Sequence, residues 1–216
     1  MFEVGQISHP GRKRLLNEDT YDLDAGPGVA VVVDGMGGPD AGDVAAAFVR
    51  DHLRKALQQG DSPADALRSA GQALRIQRPQ KSASPSGASA IASLTSVLCQ
   101  WRTCSAIFSD GRQYRRIQSD AEAKGSMKNG VANAIQALGV TATEKLCISE
   151  ARITLKRGEC VMFCTDGMLE TCSGPELETS LCDPRLSAQE SVELLLMHAL
   201  RGEANNNLTA LLLRLS

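Results

Sequence analysis

Apolar residues in this chain fall into short runs whose spacing separates strands from helices. Val29-Ala30-Val31-Val32-Val33 is continuously apolar and closes on Asp34, the pattern of a strand covered on both faces. Thr20 to Asp24 precedes it as a first strand, across a Gly26-Pro27-Gly28 turn. Ala41, Val44, Ala45, Phe48, Val49, His52 and Leu53 then recur at helical spacing on one face, within a helix expected over Asp40–Gln59. A second helix is expected over Ser62–Arg78, with Ser62 as its cap and Pro63 in its first turn. Lys81 to Ala92, rich in Ser, Ala, Pro and Gly, reads as a loop. Leu94–Trp101, Cys104–Ser109 and Arg112–Ser119 read as three antiparallel strands, followed by a polar helical piece over Asp120–Leu138. Leu146–Leu155 and Glu159–Thr165 read as a hairpin turning on Lys156-Arg157-Gly158. Ser187–Leu200 is an amphipathic helix capped by Ser187, with Gly202 beyond its end, and Asn207–Leu215 is a last apolar strand. Consecutive strands with segregated helices predict an α+β domain of packed antiparallel sheets, not alternating βαβ units.

Composition narrows the function classes. A length of 216 residues fits a single domain over 1–216, and 43% hydrophobic with 22% charged residues is the balance of a soluble globular protein. Aromatics at 3% leave Val, Leu, Ile and Ala to fill the interior and exclude a base-stacking platform. A net charge of −2 implies no basic face for a nucleic acid, and the Arg112 to Arg116 stretch reads as a solvated strand face. No apolar run reaches membrane-spanning length and the first residues carry no apolar leader, so a cytoplasmic, membrane-free protein is expected; its oligomeric state stays open, with a monomer favoured. The seven cysteines form no C-x-x-C pair and lie far from the three histidines, which argues against zinc. Their odd number fits a reducing compartment. Cys160 and Cys164 share one strand face and read as small buried thiols.

The chemistry begins at Asp34. A strand covered on both faces holds this carboxylate rigidly at the rim of the core, and Gly35, Gly37 and Gly38 let the backbone turn close to a ligand. A rigid carboxylate beside an exposed carbonyl suits a hard cation such as Mg²⁺ or Mn²⁺. The dinucleotide fingerprint fails because its third glycine position is Asp40, and the G-x-x-x-x-G-K-[ST] phosphate loop is absent. A turn Asp that only caps the next helix is the blander alternative. Four further places put acidic or amide groups beside strand ends: Asn17-Glu18-Asp19, Ser109-Asp110-Gly111-Arg112, Thr165-Asp166-Gly167 after Val161-Met162-Phe163, and Asn205-Asn206-Asn207.

The order Arg14-Leu-Leu-Asn17-Glu18-Asp19, Val-Val-Asp34-Gly35-Met36-Gly37-Gly38 with Gly42, Ser109-Asp110-Gly111-Arg112-Gln-Tyr114, Thr165-Asp166-Gly167 and Asn206-Asn207-Leu208-Thr209 resembles the type 2C metal-dependent Ser/Thr protein phosphatases in their compact bacterial form. The resemblance implies a four-layer α-β-β-α sandwich of two antiparallel sheets flanked by helices. It also implies two Mn²⁺ or Mg²⁺ ions at one end. Asp34 would bridge the ions, the Gly35 carbonyl would bind one, and Asp166 with the position of Asn206 would complete the other site. Glu18, supported by Asp19, would act through metal-bound water, and Asp110 would hold a third, weaker ion. Arg14 would grip the substrate phosphate. The implied reaction is phosphoserine or phosphothreonine hydrolysis by a metal-bridging hydroxide, on a phosphoprotein of a Ser/Thr kinase pathway.

Several positions depart from the family pattern. Its last metal ligand is an Asp followed by Asn, where this chain has Asn206-Asn207; an amide oxygen brings no charge, so metal affinity should fall. Ala92-Ser93-Leu94-Thr95 matches the usual Gly-Thr-Thr signature weakly, and Pro39 stands where a His often follows the glycines. Ser119 to Gly139 is short, so the flap beside the active site is expected to be reduced or absent. Two functions therefore stay open: an active phosphatase of weakened metal affinity, or a catalytically impaired regulatory module that binds a phosphoprotein or partner.

Overall fold

The computed structural model describes residues 1–24, 28–37, 41–77, 86–94, 97–101, 104–117, 137–146 and 148–216. Among these residues it has ten strands, β1 (Phe2–His9), β2 (Asp19–Asp24), β3 (Val29–Met36), β4 (Gly87–Leu94), β5 (Val97–Trp101), β6 (Ser105–Ser109), β7 (Tyr114–Arg116), β8 (Ser149–Arg152), β9 (Cys160–Cys164) and β10 (Leu208–Leu215). Five α-helices accompany them among the described residues: α1 (Gly42–Gln58), α2 (Pro63–Gln77), α3 (Asp166–Thr171), α4 (Gly174–Cys182) and α5 (Ala188–Arg201). The expected helix over 120–138 and the flap region over 119–139 lie almost wholly outside the described residues, as do Gly38 and Pro39.

Two five-stranded antiparallel sheets run in the orders β1-β10-β9-β6-β7 and β2-β3-β4-β5-β8. Side chains alternate across each strand, and the alternation sorts them into three apolar layers. Val29, Val31 and Val33 of β3 meet Val49, Leu53 and Leu57 of α1 and Leu67 and Leu74 of α2. Ala30 and Val32 point the other way, into the space between the sheets, where they join Ile91, Val161, Phe163 and Leu211. On the far side Cys160, Met162, Cys164 and Leu212 are covered by Met168, Leu177, Val192 and Leu195 of α3, α4 and α5. The result is the four-layer α-β-β-α sandwich. No helix among the described residues is long and apolar enough to cross a membrane.

Several elements depart from the sequence reading. β1 was not expected, and β4 takes the second half of the expected 81–92 loop. The expected 94–101 strand is β5 joined to the end of β4, where Leu94 pairs with Val97. β8 and β9 do not form a hairpin: β8 pairs with β5 in one sheet and β9 with β10 and β6 in the other, so the chain crosses between sheets at 153–159. α1 turns Ala45, Ala46, Val49, Leu53, Ala56 and Leu57 inward, leaving Val44 at 64% exposure. α5 starts from Ser187, whose side chain accepts from the Glu190 amide in a capping box.

Among the described residues Phe163 is the largest fully buried side chain, and it lies between the sheets. Phe163→Ala should cost about 3–5 kcal/mol, which at 2–4 °C per kcal/mol is roughly a 10 °C fall in Tm. Thermal denaturation followed by circular dichroism checks this; a fall under about 2 °C would contradict the packing of that layer.

Candidate metal centre

At one end the layer between the sheets changes from apolar to polar without any break in alternation. On β3 the inward series Ala30, Val32 continues to Asp34, and on β2 the series Leu23, Tyr21 continues to Asp19. On the facing sheet Val161 and Phe163 lead to Thr165, and Leu213 and Leu211 lead to Thr209. Asp19 and Asp34 stand directly opposite one another in the β2–β3 register, and Asp34 stands opposite Ser89 of β4. Thr165 joins the two sheets here: its Oγ1 donates to Asp19 Oδ2 at 2.8 Å and accepts from the Thr209 amide at 3.2 Å.

Two loops complete the site. The 10–18 segment is held against the 204–207 turn by Asn207, whose Nδ2 donates to the Pro10 and Leu16 carbonyls at 3.1 and 3.0 Å. The Asn207 Oδ1 accepts from the Glu18 amide at 3.0 Å. Gly11, at φ +80°, lies so close to the Ala204 and Asn206 carbonyls that a Cβ would strike both. Gly42, at the start of α1, faces the Glu18 carboxylate, and a Cβ there would collide with Oε1. Gly35 is held by its amide donating to the Glu18 carbonyl at 3.1 Å.

These elements enclose a cleft of about 300 Å³ lined by Arg14, Glu18, Asp19, Asp34, Gly35, Asp166 and Asn206. Seven of the eight residues singled out from sequence therefore converge. Asp110 does not. β6 pairs antiparallel with β9, Ser105 opposite Cys164 and Ser109 opposite Cys160. Asp110 thus lies at the other end of the strand, roughly 16 Å from the cleft at about 3.3 Å per residue. There it closes the β6–β7 turn, accepting from the Arg112 and Gln113 amides at 2.9 Å each, which hold its pKa below the usual carboxylate value. The Ser-Asp-Gly-Arg string is an ordinary hairpin turn, and the expected third-ion role for Asp110 is not met.

The electrostatics of the cleft suit a cation. Burial first, then the Asp34 charge, raise the Asp19 pKa to about 7 against the opposing hydrogen bond from Thr165. Glu18 is raised by burial, opposed by Arg14, and Asp166 is raised by burial and then by Glu170. The buried Ser89 hydroxyl, opposite Asp34, finds no hydrogen-bond partner among the described residues. Crowded oxygen ligands of this kind are the chemistry that suits Mg²⁺ or Mn²⁺. Among the described residues no three acidic, His or Cys side chains converge as a finished ligand shell. The donors instead line a cleft, an arrangement that leaves room for the waters Mg²⁺ retains. Cys104, fully buried beneath Asp34 and Asp19, has its thiol pKa raised well above normal by burial and those charges. Thr165, Thr209 and Ser89 were not identified as site residues because their places arise from pairing between distant strands, and Glu170 because only the fold brings its helix to the 206–207 turn.

The family model described as Stage II sporulation protein E (SpoIIE) matches residues 25–216. The chain belongs to the SpoIIE family. Its fold is shared with solved Ser/Thr phosphatases. PppA, "a key regulatory component of T6SS in Pseudomonas aeruginosa", is 24% identical with a TM-score of 0.74, over 99% of this chain and 97% of that one. The Mycobacterium tuberculosis serine/threonine phosphatase PstP/Ppp is 20% identical with a TM-score of 0.74, over 100% and 99%. The catalytic domain of the phosphatase PstP in complex with two manganese ions is 22% identical with a TM-score of 0.75, over 99% and 97%. At these identities the structural likeness speaks for the fold. No curated protein sequence matches the chain.

In metal-free protein the raised Asp19 pKa makes a stability prediction. Between the ordinary carboxylate value near 4 and about 7, folded Asp19 keeps a proton that the unfolded chain has released, so stability falls as pH rises through that window. Asp19→Asn removes the charge and keeps an oxygen for Thr165. With EDTA present it should raise Tm at pH 8 by about 3 °C and flatten the fall between pH 5 and 8; a lower Tm at pH 8 would refute the repulsion.

Proposed function

We propose that this chain is a metal-dependent protein phosphatase acting on phosphoserine or phosphothreonine in a phosphoprotein of a Ser/Thr kinase pathway in the cytoplasm. The observation that supports it is the meeting of Arg14, Glu18, Asp19, Asp34, Gly35, Asp166 and Asn206 in one cleft, in a chain of the SpoIIE family. Asp34, Asp166 and the Gly35 carbonyl would hold Mn²⁺ or Mg²⁺, with Asn206 as a neutral donor. Bound ions would offset the charge of the phosphoryl group and lower the pKa of water. The chain's own groups supply the rest. Arg14, one residue from the fully exposed Leu15 on the cleft-side loop, offers a guanidinium to the incoming phosphate. Glu18 and Asp19 accept hydrogen bonds from water and so orient it. Cys104, neutral and buried, supplies no nucleophile, which agrees with direct attack by water.

The second reading, an impaired module that binds a phosphoprotein or partner, rests on Asn206, whose amide brings no charge to the donor set. Hydrolysis of p-nitrophenyl phosphate separates the two. The phosphatase reading expects turnover with millimolar Mn²⁺ or Mg²⁺ and a loss of at least a hundredfold in Asp34→Ala, about 2.7 kcal/mol of transition-state stabilisation. No turnover over that range, beside an active relative as control, would leave the binding module standing. Asn206→Asp should tighten Mn²⁺ binding about tenfold by calorimetry, and an unchanged or weaker affinity would remove Asn206 from the donor set.

A further inference from the structure

Asn206 makes two hydrogen bonds that a carboxylate in its place could not make together. Its Oδ1 accepts from Arg14 Nη2 at 2.8 Å, and its Nδ2 donates to Glu170 Oε2 at 2.8 Å. An amide has an acceptor end and a donor end, so it can link a guanidinium to a carboxylate. An Asp would accept from Arg14 but set its second oxygen against the Glu170 carboxylate. The identities at 206 and 170 are therefore matched.

The linkage has a rigid base. Glu170 lies four residues after Asp166 on α3, which places both on one helix face. The helix start is pressed against the 206–207 turn, where a Cβ on Gly167 would collide with the Asn207 carbonyl. Arg14, by contrast, sits on the irregular 10–18 loop beside the 98% exposed Leu15. Among the described residues no carboxylate comes within ion-pair distance of Arg14. Its charge is nevertheless felt at both Glu18 and Asp166.

We propose that Asn206, anchored by Glu170, is a positioning residue that aims Arg14 at the substrate phosphate without neutralising it. A salt bridge to Arg14 would compete with phosphate for the guanidinium. A neutral acceptor fixes the same geometry and leaves the charge for the ligand. This inference rests on the phosphatase reading and gives the departure at 206 a use of its own.

Inorganic phosphate binding to the Mn²⁺-loaded protein, measured by calorimetry, tests it alongside KM and kcat for p-nitrophenyl phosphate. At Mn²⁺ concentrations that saturate every variant, Asn206→Ala should weaken phosphate binding and raise KM about tenfold, with a smaller change in kcat. In an Arg14→Ala background the same substitution should add less than about twofold, because Asn206 acts through Arg14. Glu170→Ala should weaken phosphate binding about threefold, and Glu170→Gln, which keeps an acceptor for Asn206 Nδ2, should restore most of that loss. Full additivity of Asn206→Ala with Arg14→Ala, or unchanged phosphate binding in Asn206→Ala, overturns the positioning role while leaving the phosphatase reading intact. A wild-type protein that neither binds phosphate nor turns over the ester overturns the phosphatase reading, and the positioning role falls with it.

Discussion

The two-residue period of the strands is the constraint on which both the core and the cleft depend. The faces of β2, β3, β9 and β10 that meet between the sheets are apolar along most of their length and end on Asp19, Asp34, Thr165 and Thr209. A one-residue slip in β3 would send Asp34 under α1 and bring the opposite series of valines between the sheets. The polar end of that layer is therefore as strongly fixed as the packing of Phe163. The Thr165 hydroxyl, bonded to Asp19 and to the Thr209 amide, carries the fixation across from one sheet to the other.

The loops that close the cleft are held by a small number of side chain to backbone bonds. Asn207 takes up two carbonyls and one amide of the 10–18 segment, and thereby places Arg14 and Glu18 on the same rim. Glycine at positions 11, 42 and 167 allows backbones and carboxylates to approach where any Cβ would intrude. Asn206 and Asn207, adjacent in sequence, thus divide the work. One orders a loop backbone, the other meets the guanidinium that the loop carries.

Much of this was legible in the sequence because strong local patterns and the final structure agree. The apolar run into Asp34, the shorter run into Thr165-Asp166 and the capped helix after Ser187 all depend on short-range chemistry. The failures share a different cause. β4 was read as a loop because Ala88, Ala90 and Ala92 are small, yet smallness is what lets α1 and α2 settle on that strand. β1 alternates weakly, with only Gly5 and Ile7 buried, as befits a sheet edge. β8 and β9 looked like a hairpin because closeness in sequence does not reveal which sheet a strand joins. Asp110 was misplaced for a related reason. Its motif has the right letters, but β6 runs away from the cleft, and strand direction becomes visible only when Ser105 is seen opposite Cys164.

The position of β10 has a consequence for how the protein comes into being. β10 sits between β1, far from it in sequence, and β9, pairing with β1 over its whole length. A nascent chain on the ribosome that still lacks residues 205–215 leaves β1 without its neighbour, the sandwich with an open slot, and the cleft without Asn206 and Asn207. Such long-range pairing makes assembly slow and late. A chain in that state has the rim of the cleft incomplete, and the one segment 205–215 supplies both that rim and a strand of its sheet.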